Sequence, residues 1–177
     1  PPGSSPRVHE MIAKFGIETF KAGIAGLLDY AEQQARAIMA TLPDGDYFFA
    51  DYLDEDAAGG FPCRIALTLK IRGETCLLDF TGSDPQIESS VNMPTGGQPR
   101  HALLMVGFVY ILYSLDRALF LNSGVCRIAD SILPEGTIVN PHFPAAVGLR
   151  TLSVQRLQGV IFGAFAQAAP DRLPSSP

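Results

Sequence analysis

The chain has 177 residues, enough for one domain with a core of its own. Its net charge is −5, and its 13 Lys and Arg residues are scattered, which argues against a nucleic-acid partner because phosphate binding needs a clustered basic surface. Only 18% of the residues are charged and the mean hydropathy is +0.18, whereas about a quarter are charged in typical soluble domains. We therefore expect some apolar surface to be covered by a partner or by further chain.

The cysteines and the two ends of the sequence bear on its cellular setting. The three cysteines form no CxxC pair, which disfavours a disulfide framework or a thiolate zinc site and fits a cytoplasmic location. No secretory signal is visible, and the longest apolar run, residues 102–113, is too short to cross a membrane and predicts a buried helix. Both ends are rich in Pro and Ser, which favours a cut through a longer chain.

The first half of the sequence predicts one long helix and a hairpin. Apolar residues recur at steps of three and four over residues 20–42, and Pro43 ends that helix. Residues 47–53 are rich in aromatic residues and extended. Residues 64–80 then alternate apolar and polar side chains around a turn at Gly73, which predicts two antiparallel strands.

The second half predicts an apolar helix over residues 100–115, a short strand over 125–133, an extended segment over 137–140 and a last helix over 151–168. These elements predict an α+β fold in which long helices pack on a β-meander or hairpin sheet. The expected organisation is an irregular segment or linker over residues 1–15, a single domain over 16–170 and a tail over 171–177.

Motifs for autonomous catalysis are absent from the sequence. It has no Gly-x-Ser-x-Gly elbow and no Walker loop, and its three histidines are too far apart for a helical metal pair. The acidic residues between Asp44 and Asp56 lack EF-hand spacing, so we interpret them as a solvated face. Residues 79–83 (DFTGS) suggest a loop that directs polar groups at an anion or a carbonyl, although a capped turn explains the same letters.

Short stretches across most of the chain follow the order of a known family. They are residues 28–32 (LDYAE), 42–47 (LPDGDY), 51–56 (DYLDED), 78–86 (LDFTGSDPQ), 122–124 (NSG), 134–137 (PEGT), 140–141 (NP), 144–147 (PAAV) and 155–156 (QR), with Asn92 and Arg127. In this order they resemble the hydantoinase B/oxoprolinase family, whose relatives include acetone and acetophenone carboxylase subunits. Ile128 and Val154 depart from the family pattern, so no particular substrate is carried over.

The resemblance implies that the chain is a fragment of a larger B-type subunit, because family members are longer and hold their metal-binding segment upstream. It implies an ATP-dependent cyclic-amide hydrolase of the hydantoinase or 5-oxoprolinase type, with a hydantoinase A-type ATPase-related partner subunit. ATP and a divalent metal are implied for the full complex, and neither is expected to bind to this fragment alone. The expected catalytic contributors, acting from around the reacting groups, are Asp79, Thr81, Asn92, Asn122, Arg127 and Gln155.

Two alternatives remain open at this stage. One is a subunit of an ATP-dependent ketone carboxylase, and the other is a non-catalytic scaffold for subunit assembly. In each case we expect a homo-oligomer without nucleic-acid or membrane partners, and we expect the fragment alone to be inactive.

Overall fold

The computed structural model describes residues 5–54 and 62–173. Its elements are α1 Ser5–Phe15, α2 Ile17–Met39, β1 Gly45–Leu53, β2 Cys63–Arg72, β3 Thr75–Asp79, α3 Ala102–Leu115, a 3₁₀ helix Ser123–Ile128, β4 Ala129–Ile132 and α4 Arg150–Ala168. This is the α+β fold that the sequence predicts. None of the described helices has both the length and the apolar character needed to cross a membrane.

The four strands form one sheet in the order β1-β2-β3-β4. The first three are antiparallel neighbours, which confirms the predicted meander and hairpin. Strand β4 instead lies parallel to β3. A parallel neighbour needs a long crossover connection, and α3 and the 3₁₀ helix lie within that connection.

The alternation along β2 decides which sheet face is buried. Ile65, Leu67 and Leu69 are fully buried, whereas Lys70 and Arg72 lie on the opposite face and keep contact with solvent. Helix α4 packs against β1 and β2. Gly163 allows this close packing, because a Cβ atom there would lie 2.7 Å from the Phe49 ring.

Two predicted segments differ from the structure. Residues 1–15 were expected to be irregular, but Ser5–Phe15 is helical, because a proline in the first turn is compatible with a helix. The strand predicted over residues 125–133 is correct only for β4. Its first part is the 3₁₀ helix, in which Val125 and Ile128, three residues apart, share the buried side.

Smaller differences concern boundaries. Helix α2 begins at Ile17, before the predicted start at residue 20. Residues 137–140 were expected to be extended, but they form a turn in which the Asn140 amide donates to the Thr137 carbonyl at 3.0 Å. The predicted acidic residues Glu55 and Asp56 and the end of the predicted tail lie outside the described residues. The domain limits at 16 and 170 remain predictions.

Candidate functional site

A groove with a volume of about 400 Å³ lies where the sheet meets the 3₁₀ helix. Lys70 and Arg72 line it from β2, and Leu77 lines it from β3. On the other side, Arg127 lines it from the 3₁₀ helix and Asp130 lines it from β4. Three cationic side chains thus face one concavity in a chain whose net charge is negative. Each of these cations is also paired with a carboxylate, Lys70 with Asp79, Arg72 with Asp46 and Arg127 with Asp29 and Glu32. An anionic group in the groove would therefore compete with these pairs.

Asp79 and Lys70 form an ion pair beside this groove. The Lys70 Nζ atom lies 2.9 Å from Asp79 Oδ2, and the Thr81 amide donates to Asp79 Oδ1 at 3.0 Å. Burial opposes ionisation of Asp79, but hydrogen bonds from Thr81 and Lys70 outweigh it and lower the pKa of the carboxyl. The same bond raises the pKa of Lys70.

Both groups are therefore charged at neutral pH. An ionised Asp79 cannot act as a general acid there, but it can fix the position of the Lys70 ammonium. The Asp79 side chain is only 13% exposed, so water screens this pair weakly. The pair is suited to positioning a cation at the groove.

Arg127 is held by two acidic side chains of α2. Its Nη1 atom lies 2.7 Å from Asp29 Oδ1 and 3.2 Å from Glu32 Oε2, while Arg36 binds the other oxygen of Glu32 at 2.6 Å. The hydrogen bond from Arg36 lowers the pKa of Glu32 most, with help from Arg127 and against the effect of burial. The pKa of Arg127 is raised by Asp29 and then by Glu32. Arg127 thus stays charged and anchored.

Asn122 joins the same two elements through the backbone. Its Nδ2 atom donates to the Leu27 carbonyl at 2.9 Å, and its Oδ1 atom accepts from the Gly124 amide at 2.7 Å. A Cβ at Gly124 would lie 2.1 Å from the Leu28 carbonyl oxygen, so this position requires glycine. Residues 28–32, residues 122–124 and Arg127, which were separate family-like matches in the sequence, therefore meet at one joint.

The remaining two predicted residues lie elsewhere. Asn92 is fully buried, and its Nδ2 donates to the carbonyls of Ile87, Ser89 and Ala146 while its Oδ1 accepts from the Ile87 amide. Its hydrogen bonds fix loops, so its visible role is structural. Gln155 is exposed on α4. Of the six predicted site residues, Asp79 and Thr81 are therefore in contact, and Asn122 and Arg127 lie at one joint. The structure does not bring all six together at a single site.

Three groove residues, Lys70, Arg72 and Asp130, were not predicted from the sequence. Lys70 could have been found, because a hairpin turning at Gly73 pairs Thr68 with Asp79 and places Lys70 diagonally across from that aspartate. Asp130 had no such signal, because it reaches the groove through the parallel pairing of β4 with β3.

Cys76 also lines the groove, but the residue is only 6% exposed. Burial raises the pKa of the Cys76 thiol to about 12, which leaves it protonated at neutral pH. Within residues 5–54 and 62–173, no three His, Cys, Asp or Glu side chains come together as a metal site. In the acidic stretch, Asp46 pairs with Arg72 and Asp51 pairs with Arg156.

The sequence profile of the hydantoinase B/oxoprolinase family matches residues 4–177. The B-type subunit of a D-/L-hydantoinase from Pseudomonas sp. (strain NS671) is 33% identical over 173 residues, which are 94% of this chain and 29% of that protein. The chain thus spans less than a third of the length of this relative.

Two solved structures share the fold. The crystal structure of an ATP-dependent caprolactamase from Pseudomonas jessenii matches 93% of this chain and 28% of its own, with 27% identity and a TM-score of 0.77. A nucleotide-free acetone carboxylase structure matches 91% of this chain and 22% of its own, with a TM-score of 0.74. At 18% identity, the second likeness shows the fold alone.

Proposed function

The chain belongs to the hydantoinase B/oxoprolinase family, and from this premise we propose that it is part of the B-type subunit of an ATP-dependent hydrolase of cyclic amides. The observation that carries this proposal is the family match over residues 4–177. The caprolactamase structure supports it, because that enzyme is described as ATP-dependent and shares the fold at a TM-score of 0.77. We propose substrates of the hydantoin or 5-oxoproline class, because similar proteins include a hydantoinase subunit and a 5-oxoprolinase.

The role of the groove follows from its charges. Phosphoryl transfer from ATP to the amide oxygen would release ADP and turn a poor electrophile into a good one. Water would then attack the activated carbon, the ring C–N bond would break to leave an acyl phosphate, and a second water would release phosphate. Lys70, Arg72 and Arg127 would hold an anionic group of the substrate or of the leaving phosphate, which would take donors that now serve their carboxylate partners. Asp79 and Thr81 would keep Lys70 in place, so they are positioning residues in this proposal.

ATP and a divalent metal would bind outside this chain. The described residues offer no group of three side-chain ligands, so no step is assigned to a metal held by them. We propose that a hydantoinase A-type ATPase-related subunit supplies the ATP chemistry. The isolated chain would be inactive, cytoplasmic and self-associating.

A chimera tests the hydrolase proposal. This chain replaces the matching 173-residue segment of the B-type subunit of the Pseudomonas hydantoinase, which is produced with its A-type partner. Phosphate release from ATP is measured with hydantoin, 5-oxoproline and caprolactam, and the isolated chain serves as control. We expect a cyclic amide to stimulate the chimera and the isolated chain to stay silent. A folded, assembled chimera that no cyclic amide stimulates would contradict the proposal.

The carboxylase alternative rests on a likeness of fold alone, because the acetone carboxylase structure is 18% identical to this chain. The same assay separates it when it is run on the longer subunit that contains this chain, produced with its own partner, because a carboxylase would respond to acetone only when bicarbonate is present. Stimulation by that pair alone would replace the cyclic-amide proposal.

The scaffold alternative is favoured by the backbone bonds of Asn92 and Asn122. Asp79→Ala and Arg127→Ala in the chimera separate scaffold from catalytic positioning, with Arg117→Ala as the control on an exposed arginine. We expect turnover to fall at least about 10-fold for the two site variants while assembly with the partner persists. Loss of assembly in step with turnover would favour the scaffold.

A further inference from the structure

Each cation of the groove already has a carboxylate partner on the same chain. The pairs are Lys70 with Asp79 at 2.9 Å, Arg72 with Asp46 at 2.6 Å and Arg127 with Asp29 at 2.7 Å. A partner on the same chain acts at an effective concentration of about millimolar or more. A free monocarboxylate offers the same charge and the same oxygens, so the tethered partners keep it out at lower concentrations. An occupant of the groove must therefore bind these cations more strongly than a carboxylate does.

A phosphoryl group meets this requirement. It carries about two negative charges at neutral pH and three acceptor oxygens. Arginine binds it through two parallel N–H groups, and lysine binds it as a point charge. Its additional oxygens let it contact more than one of the groove cations at once. The groove, with a volume of about 400 Å³, has room for such a group.

Asp29 is the partner that yields at the lowest cost. It is the most exposed of the four carboxylates that bind the groove cations, and 61% of its side chain is in contact with water. An exposed ion pair contributes little, because water solvates both ions when they separate. The Asp79 side chain, in contrast, is 13% exposed and also accepts from the Thr81 amide. An anion in the groove would therefore displace Asp29 before it displaces Asp79.

Arg127 would keep its position after Asp29 is displaced. Glu32 accepts from Arg127 at 3.2 Å and is itself bound by Arg36 at 2.6 Å. The hydrogen bond from Arg36 lowers the pKa of Glu32, so this second partner stays ionised. Within the described part of the chain, both hydrogen bonds of Arg127 come from its Nη1 atom. The N–H groups of Nε and Nη2 can therefore turn to a ligand while Glu32 holds the arginine.

We propose that the groove binds a phosphoryl group, and that Asp29 competes with this group for Arg127 and so sets the threshold that an anion must exceed. The proposal rests on the proposed function for its place in the reaction, where the occupant is the acyl phosphate or the released phosphate. It narrows the two anions considered above to the phosphorylated one. A carboxylate, such as that of the ring-opened product, would not be retained here.

NMR titration of the isotope-labelled full chain tests the proposal without turnover, at pH 7.5 and constant ionic strength. Inorganic phosphate should shift the Arg127 Nε–H resonance and saturate at about millimolar concentration. Acetate should bind at least about 10-fold more weakly. Acetyl phosphate distinguishes the acyl phosphate from the released ion, and tight binding of either supports the proposal. ADP is the third probe, and it should bind no more tightly than phosphate.

Asp29→Asn tests the competition. Asparagine keeps an acceptor for Arg127 but removes the charge, so phosphate binding should tighten about 3-fold, a gain that unfolding cannot produce. Arg127→Gln should weaken phosphate binding at least about 10-fold. In the Arg127→Gln background, Asp29→Asn should have no further effect, because its competition acts through that arginine. Glu18→Gln is the control on the same helix, since it changes the net charge equally but removes a carboxylate that pairs with Lys21.

Several results would overturn the proposal. They are acetate binding as tightly as phosphate, an unchanged phosphate affinity in Asp29→Asn, an equal gain in Glu18→Gln, and a gain from Asp29→Asn that persists without Arg127. ADP binding at least about 10-fold tighter than phosphate would assign the groove to a nucleotide instead. The two proposals fail separately. Phosphate binding as expected, in a chain whose chimera no cyclic amide stimulates, would contradict only the proposed function, and an active chimera without phosphate binding in the groove would contradict only this inference.

Discussion

Lys70 and Asp79 face each other diagonally across the β2–β3 hairpin, with Nζ 2.9 Å from Oδ2. The register of the hairpin fixes this relationship, because Thr68 is the direct partner of Asp79. Asp79 is the last residue of β3. The chain turns directly after it, at Thr81 and Gly82, where Gly82 has a φ of +97°. One hairpin therefore supplies both the fold and the charge at the edge of the groove.

Asp79→Asn isolates the charge of this pair. Asparagine keeps an acceptor for the Thr81 amide but loses the attraction to Lys70, so we expect the free energy of unfolding to fall by about 1 kcal/mol at pH 7. The folded-state pKa of Asp79 is lowered, so the charge stabilises the protein above the unfolded pKa of ~3.9. That stabilisation is lost as pH falls through the folded-state value.

Urea denaturation at pH 7, 5 and 3 measures the effect. The difference between wild type and variant should be full at pH 7 and 5 and shrink at pH 3. Asp130→Asn, at the 57% exposed side chain that pairs with Arg100, is the control and should change stability little. If the free energies of unfolding of the wild type and of Asp79→Asn differed equally at all three pH values, the charge of Asp79 would not be the source of the stabilisation.

This part of the structure could be predicted from the sequence, since alternation and a glycine turn fix strand pairing locally. The pairing of Arg127 with Asp29 could not, because 98 positions separate them and only the tertiary fold brings them together. The buried hydrogen bonds of Asn92 could not be predicted for the same reason. One of them joins Asn92 to Ala146, a contact that no local pattern encodes.

Asn92→Ala should be among the most damaging single changes to the fold. It removes four hydrogen bonds and leaves the backbone groups of Ile87, Ser89 and Ala146 without that partner in the interior. We expect a loss of about 3 kcal/mol or more. The measurement is the urea midpoint, with Asn122→Ala as a comparison that should cost about 1 kcal/mol. An unchanged midpoint, together with loss of turnover in the chimera, would instead assign Asn92 to the reaction.

Gly124→Ala tests the joint between α2 and the 3₁₀ helix. The new Cβ would lie 2.1 Å from the Leu28 carbonyl oxygen, a backbone atom that can move only if the helices separate. We expect a loss of about 2 to 3 kcal/mol. Gly23→Ala is the matched control, because a Cβ there meets nothing within 4 Å. It should stabilise the exposed helix by about 0.5 to 1 kcal/mol. Thermal unfolding measures both effects. Equal shifts of the melting temperature, of the same sign, in Gly124→Ala and Gly23→Ala would contradict this account of the joint.

The cysteines should report local opening of the sheet. Cys76 is buried in β3 with a pKa raised to about 12, and burial also raises the pKa of the half-buried Cys126. Because alkylation needs the thiolate, iodoacetamide at pH 8 should react slowly with both in the native protein and quickly in urea. Peptide mass spectrometry should show Cys126 labelled before Cys76.

The rate at Cys76 then has a structural meaning. Its side chain is 6% exposed, and its strand is paired on both sides, with β2 and with β4. Reaction should therefore require opening of the sheet, and the rate should follow stability across variants. Gly124→Ala should accelerate it and Gly23→Ala should not. Rapid labelling of Cys76 in the stable native protein would show that β4 detaches from β3 without global unfolding.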